Sequence, residues 1–328
     1  MLTRQFASAA RTARSVLAEA AVTPSPEPIA TGFALLDTSL DGGIRAQDLT
    51  VLAGRPGVGK TIAALQWAVH IARSGRPARF ICYEHTESQL VGRVLVAELG
   101  TLASVENRGR VQQLQRFARE VTLGRRPIDA FVDCDPIASL AFERFEGYAD
   151  QLSLVRASGM HTGLPELEAL VADHARCGAT VFVDYLQKIA CPMAGTETDR
   201  VIRLAEGLKE LALAHDVALV ALASCDGPGL IARRARISDI RGSVGVAYEA
   251  DVAVMLNEKA TAVSKVHLAF DAVRARDFRN QIVFSIEKNR GGPAPIDLEF
   301  AKDFGSYRFD PNGRFVADQL VDEVIYTD

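Results

Sequence analysis

The sequence predicts an α/β fold with a mostly parallel central sheet flanked by helices, and three observations carry that expectation. A short apolar run at 49–53 leads directly into Gly54-Arg55-Pro56-Gly57-Val58-Gly59-Lys60-Thr61, and then into helical periodicity through Leu65, Ala68, Val69 and Ala72. Two further apolar runs, 79–83 and 181–183, each end in a carboxylate, Glu84 and Asp184. Helical patterns alternate with these runs: 164–176 precedes the second, and 204–214, with Leu204, Leu208, Leu211 and Ala212 on one face, precedes the apolar stretch 217–222.

Length and composition bound the answer. The chain has 328 residues, enough for one large domain or two small ones. With 48% hydrophobic and 24% charged residues it has the composition of an ordinary globular protein, which excludes disordered, collagenous and disulfide-scaffold classes. A net charge of −4 excludes a uniformly basic coat for nucleic acid but allows a local basic loop. The five cysteines, Cys82, Cys134, Cys177, Cys191 and Cys225, show neither a C-x-x-C pair nor zinc spacing, which fits a reducing cytoplasm. Every apolar run is broken by a charge before membrane-spanning length, so no membrane association is expected.

Taken in order, residues 3–21 place Phe6, Ala9, Ala10, Ala13, Leu17 and Ala20 at helical spacing. Three readings are open for this amphipathic helix: a surface helix, a helix docked on a neighbouring subunit, or an Arg-rich transit segment. Pro24, Pro26 and Pro28 then stiffen an extended linker, so residues 1–28 are set apart from the rest of the chain.

The strand, glycine loop and helix at 49–72 occur in the order a phosphate-binding loop needs. Residues 54–61 would wrap a polyphosphate with backbone N–H groups, Lys60 would reach the β- and γ-phosphates, and Thr61 would offer its hydroxyl to Mg²⁺. ATP and Mg²⁺ are the expected cofactors. Glu84, at a strand's C-terminal end, could orient or deprotonate an attacking water, or could be the N-terminal acid of the helix starting near Thr86. Asp184 stands where such a nucleotide site holds its metal. Residues 281–290 read as a strand with Lys288 and Arg290 on one side, 296–300 as a half-exposed strand, and 307–309 as its hairpin partner.

Several of these stretches together resemble the C-terminal motor domain of DnaB-type replicative helicases, within the RecA-like P-loop ATPases. The resemblance rests on Thr31-Gly32-Phe33-Ala34-Leu35-Leu36-Asp37, the loop at 54–61, Glu84, Val183-Asp184-Tyr185-Leu186-Gln187, Ser238-Asp239-Ile240-Arg241, Ala250-Asp251 and Glu287-Lys288-Asn289-Arg290-Gly291-Gly292-Pro293, in collinear order over about 29–312. Residues 31–43 are also similar to KaiC-like and RadA-like relatives. The resemblance implies that Glu84 is the catalytic carboxylate, Asp184 the metal-holding acid, and Lys288 and Arg290 a pair acting on the neighbouring subunit's nucleotide. It also implies a homo-hexamer or other ring or filament, single-stranded DNA as partner, and replication or recombination proteins beyond that.

Residues 223–249 look like the loop that family members turn into the central channel, which would set Arg233, Arg234, Arg236, Arg241 and Gly242 against DNA. Three departures stand out: only about 28 residues precede the motor, so the family's N-terminal domain is expected to be absent; Ser224-Cys225 replaces the usual Ser-Gln; and Gly242 follows Arg241 where a carboxylate is typical. A thiol cannot relay phosphate loss through hydrogen bonds as a glutamine can. An insertion is expected at about 101–150, and residues 313–328 are read as a C-terminal tail. The reading that results is an ATP-driven DNA helicase or translocase. Its alternatives are a KaiC- or RadA-like DNA-binding ATPase without unwinding and an assembly scaffold with little turnover.

Overall fold

The computed structural model describes residues 11–22, 26–175, 179–192, 195–263 and 277–321. Its strands are β1 (Leu49–Gly54), β2 (Ala78–Cys82), β3 (Leu152–Arg156), β4 (Thr180–Asp184), β5 (Ala218–Ser224), β6 (Val252–Glu258), β7 (Gln281–Asn289), β8 (Ile296–Asp303), β9 (Arg308–Phe309) and β10 (Arg314–Phe315). The helices are α1 (Ala13–Ala20), α2 (Ala34–Ser39), α3 (Lys60–Arg73), α4 (Glu87–Thr101), α5 (Arg108–Thr122), α6 (Ile128–Val132), α7 (Pro136–Ala149), α8 (Leu164–His174), α9 (Glu197–His215), α10 (Gly227–Ile231), α11 (Ser243–Glu249) and α12 (Lys259–Ala262).

One sheet organises them, in the order β10-β8-β7-β6-β1-β5-β4-β2-β3, with β9 on β8. The six strands from β3 to β6 run parallel, and β7, β8 and β10 extend the sheet antiparallel. Both faces of the parallel part are covered, which is why these strands read as nearly continuous apolar runs. On β5, Ala218, Val220 and Leu222 join the core that includes α3, while Leu219, Ala221 and Ala223 join the one under α8, α9 and α11.

β7 departs from the alternating pattern read in the sequence: Ile282 to Ile286 are all buried, because the strand lies between β6 and β8 and is covered on both faces. α9 begins at Glu197, seven residues before the expected start, because Thr196 caps it by accepting from Asp199 N while Asp199 reaches back to Thr196 N. β6 has no counterpart among the strands read from sequence. Residues 101–150 form α5 to α7, which pack on α4 around a separate core containing Leu95, Leu99, Leu114, Phe131 and Ala141.

At the N-terminus, α1 is helical as its spacing predicts and none of its residues is buried. The expected stretch before residue 11 and linker residues 23–25 lie outside the described residues. In the tail, β10 pairs with β8 and Leu320 bridges to Val263, while 322–328 lie outside the described residues. Among the described residues no helix is long and apolar enough to cross a membrane.

Candidate nucleotide site

β1, β2 and β4 end at the same edge of the sheet, and their last residues build one cleft. Gly54 closes β1 because a Cβ there would lie 2.6 Å from the Leu256 carbonyl oxygen. Gly59, at φ +101°, ends the loop under the rings of Phe304 and Phe309, each within 3 Å of where a Cβ would sit. Gly59 is also the N-cap of α3 and offers no side chain, so the first-turn N–H groups of the helix are left for an anionic ligand. Val58 is tucked into the core, and Arg55 turns away to donate to Ala232 O and Thr261 Oγ1. Neither side chain therefore lines the cleft.

Lys60 Nζ donates to the carbonyl oxygens of Gly54 (2.8 Å) and Arg55 (3.0 Å). Burial pushes its ammonium down, against the pull of Cys225, Asp184 and Glu84. Asp184 is buried and accepts from Thr61 Oγ1 at 2.8 Å, with Cys82 Sγ 3.7 Å away; the Asp184–Tyr185 peptide is cis. Burial raises the Asp184 carboxyl to about 6, Glu84 adds to the rise, and the Thr61 and Cys82 hydrogen bonds and Lys60 oppose it. A buried carboxylate beside a threonine hydroxyl, with no full cationic partner, suits a divalent cation completed by phosphate oxygens and water. Among the described residues no cluster of three or more His, Cys, Asp or Glu side chains forms a metal cage.

Glu84 lines the same cleft as Lys60, Thr61 and Asp184, together with His85 and Arg93. It lies two residues before the cap of α4: Thr86 is that cap, completed by Gln89, and Glu87 is the acid of the first turn. Of the two roles open to Glu84 in the sequence, that of a helix-terminal acid thus belongs to Glu87.

Lys288 and Arg290 stand at the other end of the ladder. Lys288 Nζ donates to Ala247 O (2.7 Å) and Tyr248 O (3.1 Å), and Arg290 donates to Asp251 Oδ1 (3.0 Å) and Tyr248 O (2.5 Å). Burial, and next the charge of Arg290, push the Lys288 ammonium down. Asp251 is itself fixed by Leu49 N and Lys209. The register places Gly54 beside Leu256 and Leu256 beside Phe284. β7 bulges opposite Ala253 and Val254, so Arg290, whose N–H meets Asp251 O, is five residues along β6 from Leu256, about 17 Å at the rise of an extended strand. A guanidinium on a side chain of about 7 Å cannot span that distance within one copy.

Residues 223–249 correct the expectation of an open basic loop. Arg234 is only 7% exposed, pairs with Asp297 at 2.6 Å and donates to Ser285 Oγ, so it is committed to the sheet. Arg236 pairs with Glu287, and Arg233 donates to Val263 O. Arg241 is the exposed member and pairs with Glu197. Gly242, at φ +74°, is a packing position, since a Cβ would lie 2.4 Å from Val201 Cβ on α9. That contact explains why no carboxylate follows Arg241.

Gln187 has no role in the sequence reading but a clear one in the fold. Its amide accepts from Ser224 N and donates to Ser224 O and Arg241 O, while Cys225 pairs with Ile240 and Asp226 N donates to Asp239 O. The excursion 226–239 is thereby closed at a neck that adjoins the cleft through Ser224. Cys225 is buried, and burial pushes its thiol up to about 11, so it stands as a neutral group near Lys60.

The fold recurs among known proteins. The family model for the DnaB-like helicase C terminal domain matches residues 28–142 and 160–309. The match includes most of the stretch expected as an insertion and leaves 143–159 between its two segments. The chain is 26% identical over 280 residues to the replicative DNA helicase DnaB of Treponema pallidum, covering 84% of this chain and 55% of that protein. It is 25% identical over 287 residues to that of Geobacillus stearothermophilus, covering 85% and 56%. It thus spans about half the length of these curated relatives. The DNA repair protein RadA of Mycobacterium tuberculosis is 39% identical over 79 residues, 24% of this chain and 16% of that protein. Among solved structures, a DnaB-like replicative helicase, solved for its interactions with primase, shares the fold at a TM-score of 0.67 and 19% identity, over 90% of this chain and 65% of that one. A separately solved ATPase domain does so at 0.67 and 18%, over 90% and 95%.

Proposed function

The chain belongs to the DnaB-like helicase C-terminal domain family, and we propose that it hydrolyses Mg-ATP at contacts between copies of itself and uses the cycle to move on single-stranded DNA and separate strands. The observation that carries this reading is the division of the reactive set. Lys60, Thr61, Glu84 and Asp184 share one cleft, while Lys288 and Arg290 are held about 10 and 17 Å back along the strands from the level of Gly54, toward the opposite edge. A ring or filament closes the gap by bringing one copy's cationic edge to the next copy's cleft.

Mg²⁺ and ATP, when bound, supply the leaving group and neutralise its developing charge. Thr61 and Asp184 would hold the cation, and Lys60 would exchange its two loop carbonyls for phosphate oxygens. Glu84, outside the helix and facing the cleft, would orient water and take its proton. The neighbour's Lys288 and Arg290 would stabilise charge spreading over the transferred phosphoryl group. DNA would pass the 226–239 excursion, with Arg241 the exposed cation at its neck. Further partners would be replication or recombination proteins, in the cytoplasm.

Cys225 and the RadA match favour a second reading, a DNA-stimulated ATPase that assembles without unwinding; an assembly scaffold with little turnover is a third. A forked-duplex assay separates them. Strand separation that needs ATP and disappears in Lys60→Ala and Glu84→Gln supports the helicase. Stimulation of hydrolysis by single-stranded DNA without separation supports the assembly ATPase, and a wild-type rate no higher than those variants' rules out both enzymes.

A further inference from the structure

The basic residues of α5 and of the turn after it, Arg125 and Arg126, do not line the nucleotide cleft, and they do not all lie on one surface. Arg110 pairs with Asp135, Arg125 with Glu120, and Arg126 stacks over Phe117. Arg108, Gln112, Arg116 and Arg119 instead follow one helical stripe and line an open cleft whose far wall is the end of β8 and the start of β9. Lys302 and Arg308 stand on that wall, so five cations face a single carboxylate, Asp303, in a chain of net charge −4. Asp303 already accepts from Ser306 N.

Three of these cations are also fastened. Arg119 donates to Gly305 O and stacks on Tyr307, Lys302 pairs with Glu258, and Arg308 donates weakly to Gly100 O. Arg108 and Arg116 are exposed and make no hydrogen bond or ion pair among the described residues. Concentrating like charge this way costs electrostatic energy unless an anion is at hand.

We propose that this cleft binds the phosphate backbone of single-stranded DNA at a place separate from the 226–239 excursion; this rests on the reading that the chain works on DNA. Positions 108, 112 and 116 climb about 6 Å per step, a spacing comparable with that of successive phosphates on an extended strand. They present Arg, Gln and Arg, two cations and an amide donor between them. Asn280 adds an exposed amide, Gln115 is committed to Val96 O and Ser306 Oγ, and most of the lining is polar or charged. β8 is separated from β5, which carries the excursion, by β7, β6 and β1. The cleft is therefore a place apart from the neck beside Ser224.

The test uses the full chain with Arg108→Glu and Arg116→Glu combined, and Arg125→Glu as the charge control. Anisotropy of a labelled oligo-dT should show affinity falling about tenfold, and the slope of log K against log salt falling by about 1.4, since each lost single-strand phosphate contact removes about 0.7. Arg125→Glu should change neither, and a photocrosslinker at position 112 should label DNA. An unchanged affinity and slope, with no crosslink and an unchanged melting temperature, overturns the proposal. A double variant that alters only the oligomer's size also overturns it and identifies the occupant as a second copy. If the wild-type chain binds no DNA with any nucleotide, the underlying DNA reading fails as well.

Discussion

If Arg290 serves the neighbouring copy, damage to it and damage to Lys60 fall on different partners of the same interface, and mixing the two variants should repair what neither can do alone. Each interface joins a cleft from one copy to a cationic edge from the next. In an equimolar, freely exchanged mixture of Lys60→Ala and Arg290→Ala, four cleft-and-edge combinations form equally. Only one, the cleft of an Arg290→Ala copy against the edge of a Lys60→Ala copy, is intact, so ATPase should recover to about a quarter of wild type. Each variant alone should be depressed by about 10³-fold or more, the scale on which a trans-acting arginine stabilises phosphoryl transfer.

The assay is ATPase per mole of protein against mixing ratio, with two affinity tags confirming mixed oligomers. The structure supplies the premise: Arg290 is held by Asp251 and the Tyr248 carbonyl, five residues along β6 from the level of Gly54. Fluorescent ATP should still bind Arg290→Ala and fail to bind Lys60→Ala. Confirmed mixed oligomers with no more activity than the two variants' average, or loss of ATP binding in Arg290→Ala, would refute the trans assignment.

Two further outcomes rest on local geometry. Asp184 carries its proton in the fold up to about pH 6 but loses it near 3.8 when unfolded, so stability from this group is full at low pH and is lost as pH rises through that window. Asp184→Asn does not titrate and should gain about 3 kcal/mol over wild type above pH 6, and nothing below pH 4, in nucleotide-free melts, while abolishing hydrolysis. A stability difference that does not change with pH would contradict the desolvation argument. Gly242→Asp should destabilise by about 2–4 kcal/mol through its left-handed backbone and its collision with Val201, and Val201→Ala should return part of this in denaturant titrations. A wild-type midpoint for Gly242→Asp would show that α11 can move off α9.

What was legible in the sequence is what chemistry forces into adjacent residues. A phosphate loop must be contiguous, so Gly54 to Thr61 could be read directly, and an acid ending an apolar run is visible at Glu84 and Asp184 because a buried strand shows its end by its first charge. β6 was missed although it too is an apolar run ending in Glu258; no motif drew attention to it, and its place beside β1 depends on sheet order, which local pattern does not encode. Arg234 departs from the basic-loop expectation for a related reason. Counting charge along a segment treats every arginine as solvent-facing, whereas its partner, Asp297, is 63 residues away and meets it only across the folded sheet.

The missing glutamine shows the same limit of local pattern. Judged by position, Cys225 removes the polar group that would join nucleotide to DNA loop, because its neutral, buried thiol can neither bridge nor carry charge. In the fold, an amide is present at the same junction, supplied by Gln187 from the end of the strand that carries Asp184. It grips both backbone groups of Ser224 and the carbonyl of Arg241. A shift of Asp184 toward a cation would move Gln187 three residues on, and with it the neck of the excursion. A hydrogen-bonded connection between the end of β4 and the neck of the excursion does not need a glutamine at position 225, since Gln187 makes one from the neighbouring strand's end.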